Sequence, residues 1–160
     1  MHESYTFSPL QQEEHMSRAD VAVELFTSGF SCSQAVLAAS CDVYTMDKEM
    51  ALRISAGFGG GAKTGEICGA ISGALMVIGL HCGQVDATDM EARHFCAEKV
   101  KEFQRLFQER HGHITCRDLL QDLQPIEEGR PDFEHKVQIK STRCTKMVRD
   151  CIEILDQLGC

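Results

Sequence analysis

Apolar residues recur along this chain at helical spacing almost throughout. Such stripes run over residues 17–28 and 142–158, and the segment from about 88 to 111 is predicted to be the longest helix. Only residues 137–140 have a weakly strand-like pattern. The pattern therefore predicts an all-α fold, a helical bundle of about six to seven helices forming one domain over 1–160.

Capping signals mark where several of these helices begin. Four predicted helices follow a Ser, Thr or Asp in N-cap position, and these residues are Ser31, Asp47, Thr88 and Thr115. Ser31 and Thr88 are followed three residues later by Gln34 and Glu91, which predicts a capping box at each site. The helix after Thr115 is predicted to be short and to reach residue 123, and residues 125–131 are predicted to form a loop.

A glycine-rich segment, residues 57–65, interrupts the helical pattern. A helix of small residues is predicted from about 64 to 80, with Gly65, Gly69 and Gly73 spaced so that another backbone can approach closely. The segment resembles phosphate-binding loops, but no strand leads into it, so nucleotide binding is not expected. We instead expect a tight turn, or a loop backbone passing close to a cysteine site.

Composition narrows the function classes. The chain has 160 residues and a formal net charge of −8, which argues against nucleic acid and anionic membranes as partners. The longest apolar stretch, residues 71–80, is too short to insert across a membrane. The N-terminus lacks a secretory signal pattern, so a cytoplasmic location is expected, with residues 1–14 as a flexible N-terminal extension.

Cysteine content is the strongest chemical signal. Nine cysteines occur, and no two of them form a CxxC pair. Zinc ribbons, ferredoxin runs and thioredoxin sites all depend on closely spaced cysteines, so any site here must be assembled from distant segments. Cytoplasmic thiols stay reduced unless they bind metal or do redox work.

Helix position separates these cysteines into two sets. Cys32 and Cys116 occupy the first position of their predicted helices, Cys144 the first turn of the last helix, and Cys68 lies within a turn of a helix start. The N–H groups and dipole at a helix start stabilise a thiolate and can lower its pKa from about 8.5 to roughly 7.5 or below. These four could form a metal or redox site, or be four buried thiols.

The other five cysteines have no predicted function. Cys96 and Cys151 lie within apolar stripes and are predicted to be small buried residues. Cys41 and Cys82 fall near helix ends, and Cys160 is expected to be frayed.

The chain resembles the family named for its cysteine pattern, C-GCAxxG-C-C, over about residues 22–148. The matching segments are GFSCSQAV at 29–36, FGGG at 58–61, EICGAISG at 66–73, CRDL at 116–119, and Cys144 in the last helix. One departure is the order Cys68-Gly69-Ala70 where the family name has Gly-Cys-Ala. The four shared cysteines of the family correspond to Cys32, Cys68, Cys116 and Cys144.

The resemblance implies a redox-active protein whose four cysteines bind a metal or iron–sulfur centre. The family is similar to the iron–sulfur part of split-Soret cytochromes, which are dimers with a two-iron centre. This suggests a [2Fe–2S]-type cluster for electron transfer, a redox partner protein or oxidoreductase, and a homodimer. Zinc or another single ion is the alternative cofactor.

Two other functions remain open at this stage. One is a thiol–disulfide oxidoreductase or sulfur-handling protein with Cys32 as nucleophile. The other is a non-catalytic metal-binding or interaction module. No enzymatic reaction is assigned.

Overall fold

The part of the chain that the computed structural model describes, residues 16–122 and 133–160, is built from α-helices, with side chains described for 16–122 and 142–160. The predicted N-terminal extension and the predicted loop at 125–131 lie outside these ranges. The eight described helices are α1 (Arg18–Thr27), α2 (Cys32–Ala38), α3 (Cys41–Tyr44), α4 (Lys48–Ser55), α5 (Gly69–Cys82), α6 (Met90–His111), α7 (Cys116–Leu119) and α8 (Phe133–Gln157). The predicted all-α fold is confirmed.

Most of the capping predictions are confirmed. Ser31 and Gln34 form the capping box of α2, with the Ser31 N–H donating to Gln34 Oε1 at 2.9 Å. The side chains of Asp47 and Thr115 accept hydrogen bonds at the starts of α4 and α7. The predicted capping box at Thr88 is wrong, because the N-cap of α6 is Asp89, whose carboxylate accepts a hydrogen bond from the Ala92 N–H. Thr88 instead donates through its N–H and its hydroxyl to the Asp86 carboxylate.

Three helix boundaries differ from the prediction. α5 begins at Gly69 rather than near 64, because Gly65 has a left-handed backbone and Cys68 a non-helical one, so neither can belong to a right-handed helix. α7 ends at Leu119 rather than 123. α8 begins at Phe133 rather than near 142 and, at 25 residues, is longer than α6 with 22.

The predicted strand character of residues 137–140 is also wrong, because these residues lie within α8. No strand is found among the described residues, so a strand here would lack a partner for its backbone groups. A helix satisfies those groups within the segment itself. Backbone hydrogen bonding within α8 therefore outweighs the weak β-propensity of residues 137–140.

Helix α5 lies at the centre of the bundle and packs against α2, α6 and α8. Its core positions include Ile71, Val77 and Ile78, which are fully buried. At Gly73, α2 approaches so closely that an added Cβ would lie 2.6 Å from the Ser33 carbonyl oxygen. This is the close backbone approach that the glycine spacing predicts. No described helix is both long enough and apolar enough to cross a bilayer.

Candidate redox site

Four cysteines from four separate segments line one cavity of about 410 Å³. They are Cys32, Cys68, Cys116 and Cys144, the four residues selected from the sequence. Two of them begin a helix, one directly precedes a helix, and one lies in the middle of α8. The structure therefore brings all four predicted site residues to the same place.

Cys32 is positioned by the local structure around it. It is the first residue of α2, held there by the Ser31 capping box. Its sulfur lies against the start of α5, where an added Cβ on Gly69 would be 2.5 Å from Cys32 Sγ. The absence of a side chain at Gly69 thus makes room for the Cys32 thiol.

Cys68 and Cys116 are brought together by a short pairing of two extended segments. Ile67 and Thr115 form an isolated antiparallel bridge. On either side of it, the Cys68 N–H donates to the Ile114 carbonyl at 2.9 Å and the Cys116 N–H donates to the Glu66 carbonyl at 2.7 Å. These hydrogen bonds link the segment before α5 to the segment before α7, about fifty residues apart in the chain.

Cys144 reaches the cavity in a different way from the prediction. It lies eleven residues after the start of α8, about three turns into the helix, so it is not at a helix N-terminus. Met147, one turn further along, lines the same cavity. Cys144 is therefore directed to the site by the packing of α8 against the bundle.

The electrostatics of Cys68 also contradict the expectation of a lowered thiol pKa. Cys68 is only 5% exposed, and burial is the main cause that raises the pKa of its thiol to about 12. The neighbouring thiols of Cys32 and Cys116 raise this pKa further, while the nearby backbone N–H groups of Ile71 and Ala70 lower it. Two N–H donors do not offset the lost hydration of a buried thiolate.

The glycine-rich loop forms part of the cavity wall through Gly59, Gly60 and Lys63. Its backbone is irregular, with left-handed residues from Gly60 to Lys63. An added Cβ on Gly61 would lie 3.0 Å from Cys116 Cβ, so the loop backbone packs against one of the cysteines, as one of the two sequence hypotheses expected.

Lys63 also lines the cavity, but it was not predicted from the sequence as a site residue. It is a cation whose side chain lines the same cavity as the four thiols. Its position within the glycine-rich loop, close in sequence to Cys68, was the available signal. Sequence reasoning considered it only as part of a phosphate-binding motif.

The remainder of the cavity wall is mostly apolar. It is formed by Phe26, Ala70, Leu119, Leu120 and Met147, with the polar Ser31 beside Cys32. Within residues 16–122 and 142–160, no three or more His, Cys, Asp and Glu side chains are grouped so as to hold one metal ion. The four thiols therefore line one cavity without forming a single-ion grouping in the described part of the chain.

The other five cysteines differ in burial, and Cys82 is half-buried at the end of α5. Cys151 is fully buried, as predicted, and its thiol lies near Cys68 and Cys32. Cys41 is also buried. Cys96 is half-buried rather than enclosed, and Cys160 is only 6% exposed, so the prediction that Cys160 is frayed is wrong. Its backbone N–H donates to the Leu155 carbonyl and closes the end of α8.

Comparison with known proteins is consistent with this arrangement. The family model described as "Putative redox-active protein (C_GCAxxG_C_C)" matches residues 30–158, a range that contains all four cysteines of the cavity. No curated protein and no solved structure matches the chain significantly. Because the match covers most of the chain, the protein belongs to the redox-active C_GCAxxG_C_C family.

Proposed function

We propose that Cys32, Cys68, Cys116 and Cys144 bind an iron–sulfur cluster of [2Fe–2S] type and that the protein transfers electrons through it. The observation that carries this proposal is that four thiols from distant segments line one cavity of about 410 Å³. Thiolates are the usual protein ligands of such clusters. Membership of a redox-active family supports the same function.

The shape of the donor set supports a cluster more than a single ion. A zinc ion requires all four sulfurs at about 2.3 Å from one point. No such grouping occurs among the side chains that the structure describes. A two-iron cluster takes two thiolates on each iron, so two separated pairs of cysteines are sufficient. The absence of a single-ion grouping among the described side chains therefore favours the larger group.

The surrounding residues have distinct roles in this proposal. Phe26, Leu120 and Met147 exclude water from one side of the cavity, which strengthens electrostatic interactions within it. Backbone N–H groups of Ala70 and Ile71 lie near the Cys68 sulfur and lower the pKa of its thiol, and the same groups would stabilise a ligating thiolate. The cluster, when bound, supplies a group that accepts and returns one electron.

We further propose that a redox partner protein or oxidoreductase exchanges electrons with this centre. The net charge of −8 favours a partner with a basic surface, whose association would weaken as salt concentration rises. A homodimer and a cytoplasmic location remain predictions.

Anaerobic purification followed by elemental analysis tests the proposed cofactor. We expect brown protein containing iron and acid-labile sulfide in equal amounts, with a visible absorption spectrum that bleaches on reduction. Colourless protein with freely titrating thiols, or stoichiometric zinc without sulfide, would contradict the proposal.

Thiol–disulfide exchange at Cys32 is a second candidate, favoured by one observation. The thiols of Cys32 and Cys68 are close enough that the first raises the pKa of the second. A neighbouring pair of this kind could cycle between dithiol and disulfide. Turnover of a small disulfide by the metal-free protein, lost in Cys32→Ser and retained in Cys41→Ser, would favour this function over the cluster.

Lys63 provides a test of the centre that does not remove a ligand. Reduction adds negative charge to the cavity, and the Lys63 ammonium stabilises that charge. We expect Lys63→Met to lower the midpoint potential by up to about 59 mV, a tenfold change in a one-electron equilibrium, because solvent screens an exposed lysine. Potentiometric titration measures the shift. Lys101→Met, on the exposed side of α6, is the matched control, and equal potentials in both variants would refute the role of Lys63.

A further inference from the structure

A second group of thiols lies at the opposite end of α5 from the four-cysteine cavity. Cys82 is the last residue of α5, whereas Cys68 directly precedes its first residue. Fourteen helical residues, which span about 21 Å, separate the two ends. Cys96 on α6 and Cys160 after α8 complete the group. None of these three cysteines lines the four-cysteine cavity.

Cys82 and Cys96 face each other across the contact between α5 and α6. The two helices pack together and are connected by residues 83–89, so the end of α5 lies near the start of α6. The thiol of Cys96 interacts directly with that of Cys82, whose Sγ also donates to the Ile78 carbonyl at 3.3 Å. Both cysteines are half-buried, so a small molecule can reach them.

The third thiol and two cations surround this pair. Cys160 is buried and lies near both Cys82 and Cys96. Lys99 lies near Cys82 and Cys160, and Arg18 donates to the Cys160 carbonyl at 2.5 Å. Burial raises the pKa of Cys82 to about 11, with further increases from Cys96 and Cys160, while Lys99 lowers it. Lys99 thus favours the Cys82 thiolate, which burial opposes.

We propose that Cys82 and Cys96 form a second redox site, a dithiol that is reversibly oxidised to a disulfide by low-molecular-weight disulfides. The two thiols interact, are half-buried and lie on two helices that pack against each other. The buried Cys160 is not open to direct attack by an external disulfide.

The proposed reaction is a balanced thiol–disulfide exchange. The Cys96 thiolate attacks one sulfur of an external disulfide, forming a mixed disulfide and releasing one external thiolate. Cys82 then loses its proton to solvent and attacks the Cys96 sulfur, which releases the second external thiolate. The two protons that leave the protein thiols protonate the two external thiolates. Two electrons pass from the protein to the external disulfide.

Oxidised glutathione, applied to the full-length protein, tests this site. After alkylation of remaining thiols and tryptic digestion, we expect a disulfide joining the peptide 64–93, which contains Cys82, to the peptide 94–99, which contains Cys96. No glutathione should remain attached to Cys82 or Cys96. Dithiothreitol should restore both thiols.

Variants assign the cross-link and separate it from the four-cysteine centre. Cys82→Ser should leave Cys96 as a stable mixed disulfide carrying one glutathione, and Cys96→Ser should show no cross-link. Cys68→Ser and Cys41→Ser should retain the cross-link, which excludes Cys68 as the partner within peptide 64–93. Iron and sulfide content should be the same in Cys82→Ser as in the unaltered protein.

The proposal fails if the unaltered protein accumulates glutathione at Cys82 and Cys96 separately, does not react, or joins either cysteine to Cys160. A circular dichroism spectrum of each variant shows whether the helices are intact. If Cys82→Ser is unfolded, the peptide map of the unaltered protein and of Cys68→Ser still decides the pairing.

Discussion

Gly69→Ala is expected to prevent binding of the proposed cluster while leaving the helices formed. The added Cβ would lie 2.5 Å from Cys32 Sγ and 2.9 Å from the Phe58 carbonyl oxygen, both far closer than van der Waals contact. Either the Cys32 thiol or the glycine-rich loop must therefore move, and both form the cavity wall. Changes beside a metal ligand typically reduce affinity roughly 10–100-fold, and we expect at least that loss here.

Iron and sulfide analysis after anaerobic purification measures this effect, with Gly79→Ala as the matched control. Gly79 lies on the same helix, but an added Cβ there meets no atom within 4 Å. The control should retain its full iron content. An unchanged iron and sulfide content in Gly69→Ala would show that Cys32 is not a ligand in the position described.

Gly73→Ala is expected to have the largest effect on stability. The added Cβ would lie 2.6 Å from the Ser33 carbonyl oxygen and 3.1 Å from Val36 Cβ, so α2 must move away from α5. Overpacking of this kind costs roughly 1–3 kcal/mol, and more where backbone must shift. In a chain of this size each kcal/mol lowers Tm by about 2–4 °C. Thermal unfolding followed by circular dichroism measures the loss.

Gly79→Ala, the matched control, should raise the stability of the protein instead of lowering it. At Gly79 the helix is exposed and the added methyl group meets no neighbour, so alanine should stabilise the protein by about 0.5–1 kcal/mol. Equal Tm values for the Gly73 and Gly79 variants would contradict the close contact between α2 and α5.

Local signals predicted those parts of the site that depend on neighbouring residues. The capping box at Ser31 and the cap at Thr115 fix the starts of α2 and α7, and therefore the positions of Cys32 and Cys116. A cap requires only residues within one turn, so it can be recognised in the sequence. The approach of another backbone at Gly73 was predictable in the same way.

Other features depended on contacts that no local pattern contains. Cys144 was selected correctly as a member of the group, yet the reason given from helix position was wrong, because α8 begins much earlier. The direction of the Cys68 pKa was also wrong, because burial outweighs the local N–H donors. Burial results from packing by the whole bundle and is not visible in the residues beside Cys68.

The sequence by itself determined the helical class of the protein, most helix starts and four cysteines that could act together, because periodicity and capping act over a few residues. Tertiary structure decided how those cysteines meet. The bridge between Ile67 and Thr115 joins two of them, and the packing of α8 brings in Cys144. It also placed Cys82 against Cys96, since contacts between distant segments follow from the packing of whole helices.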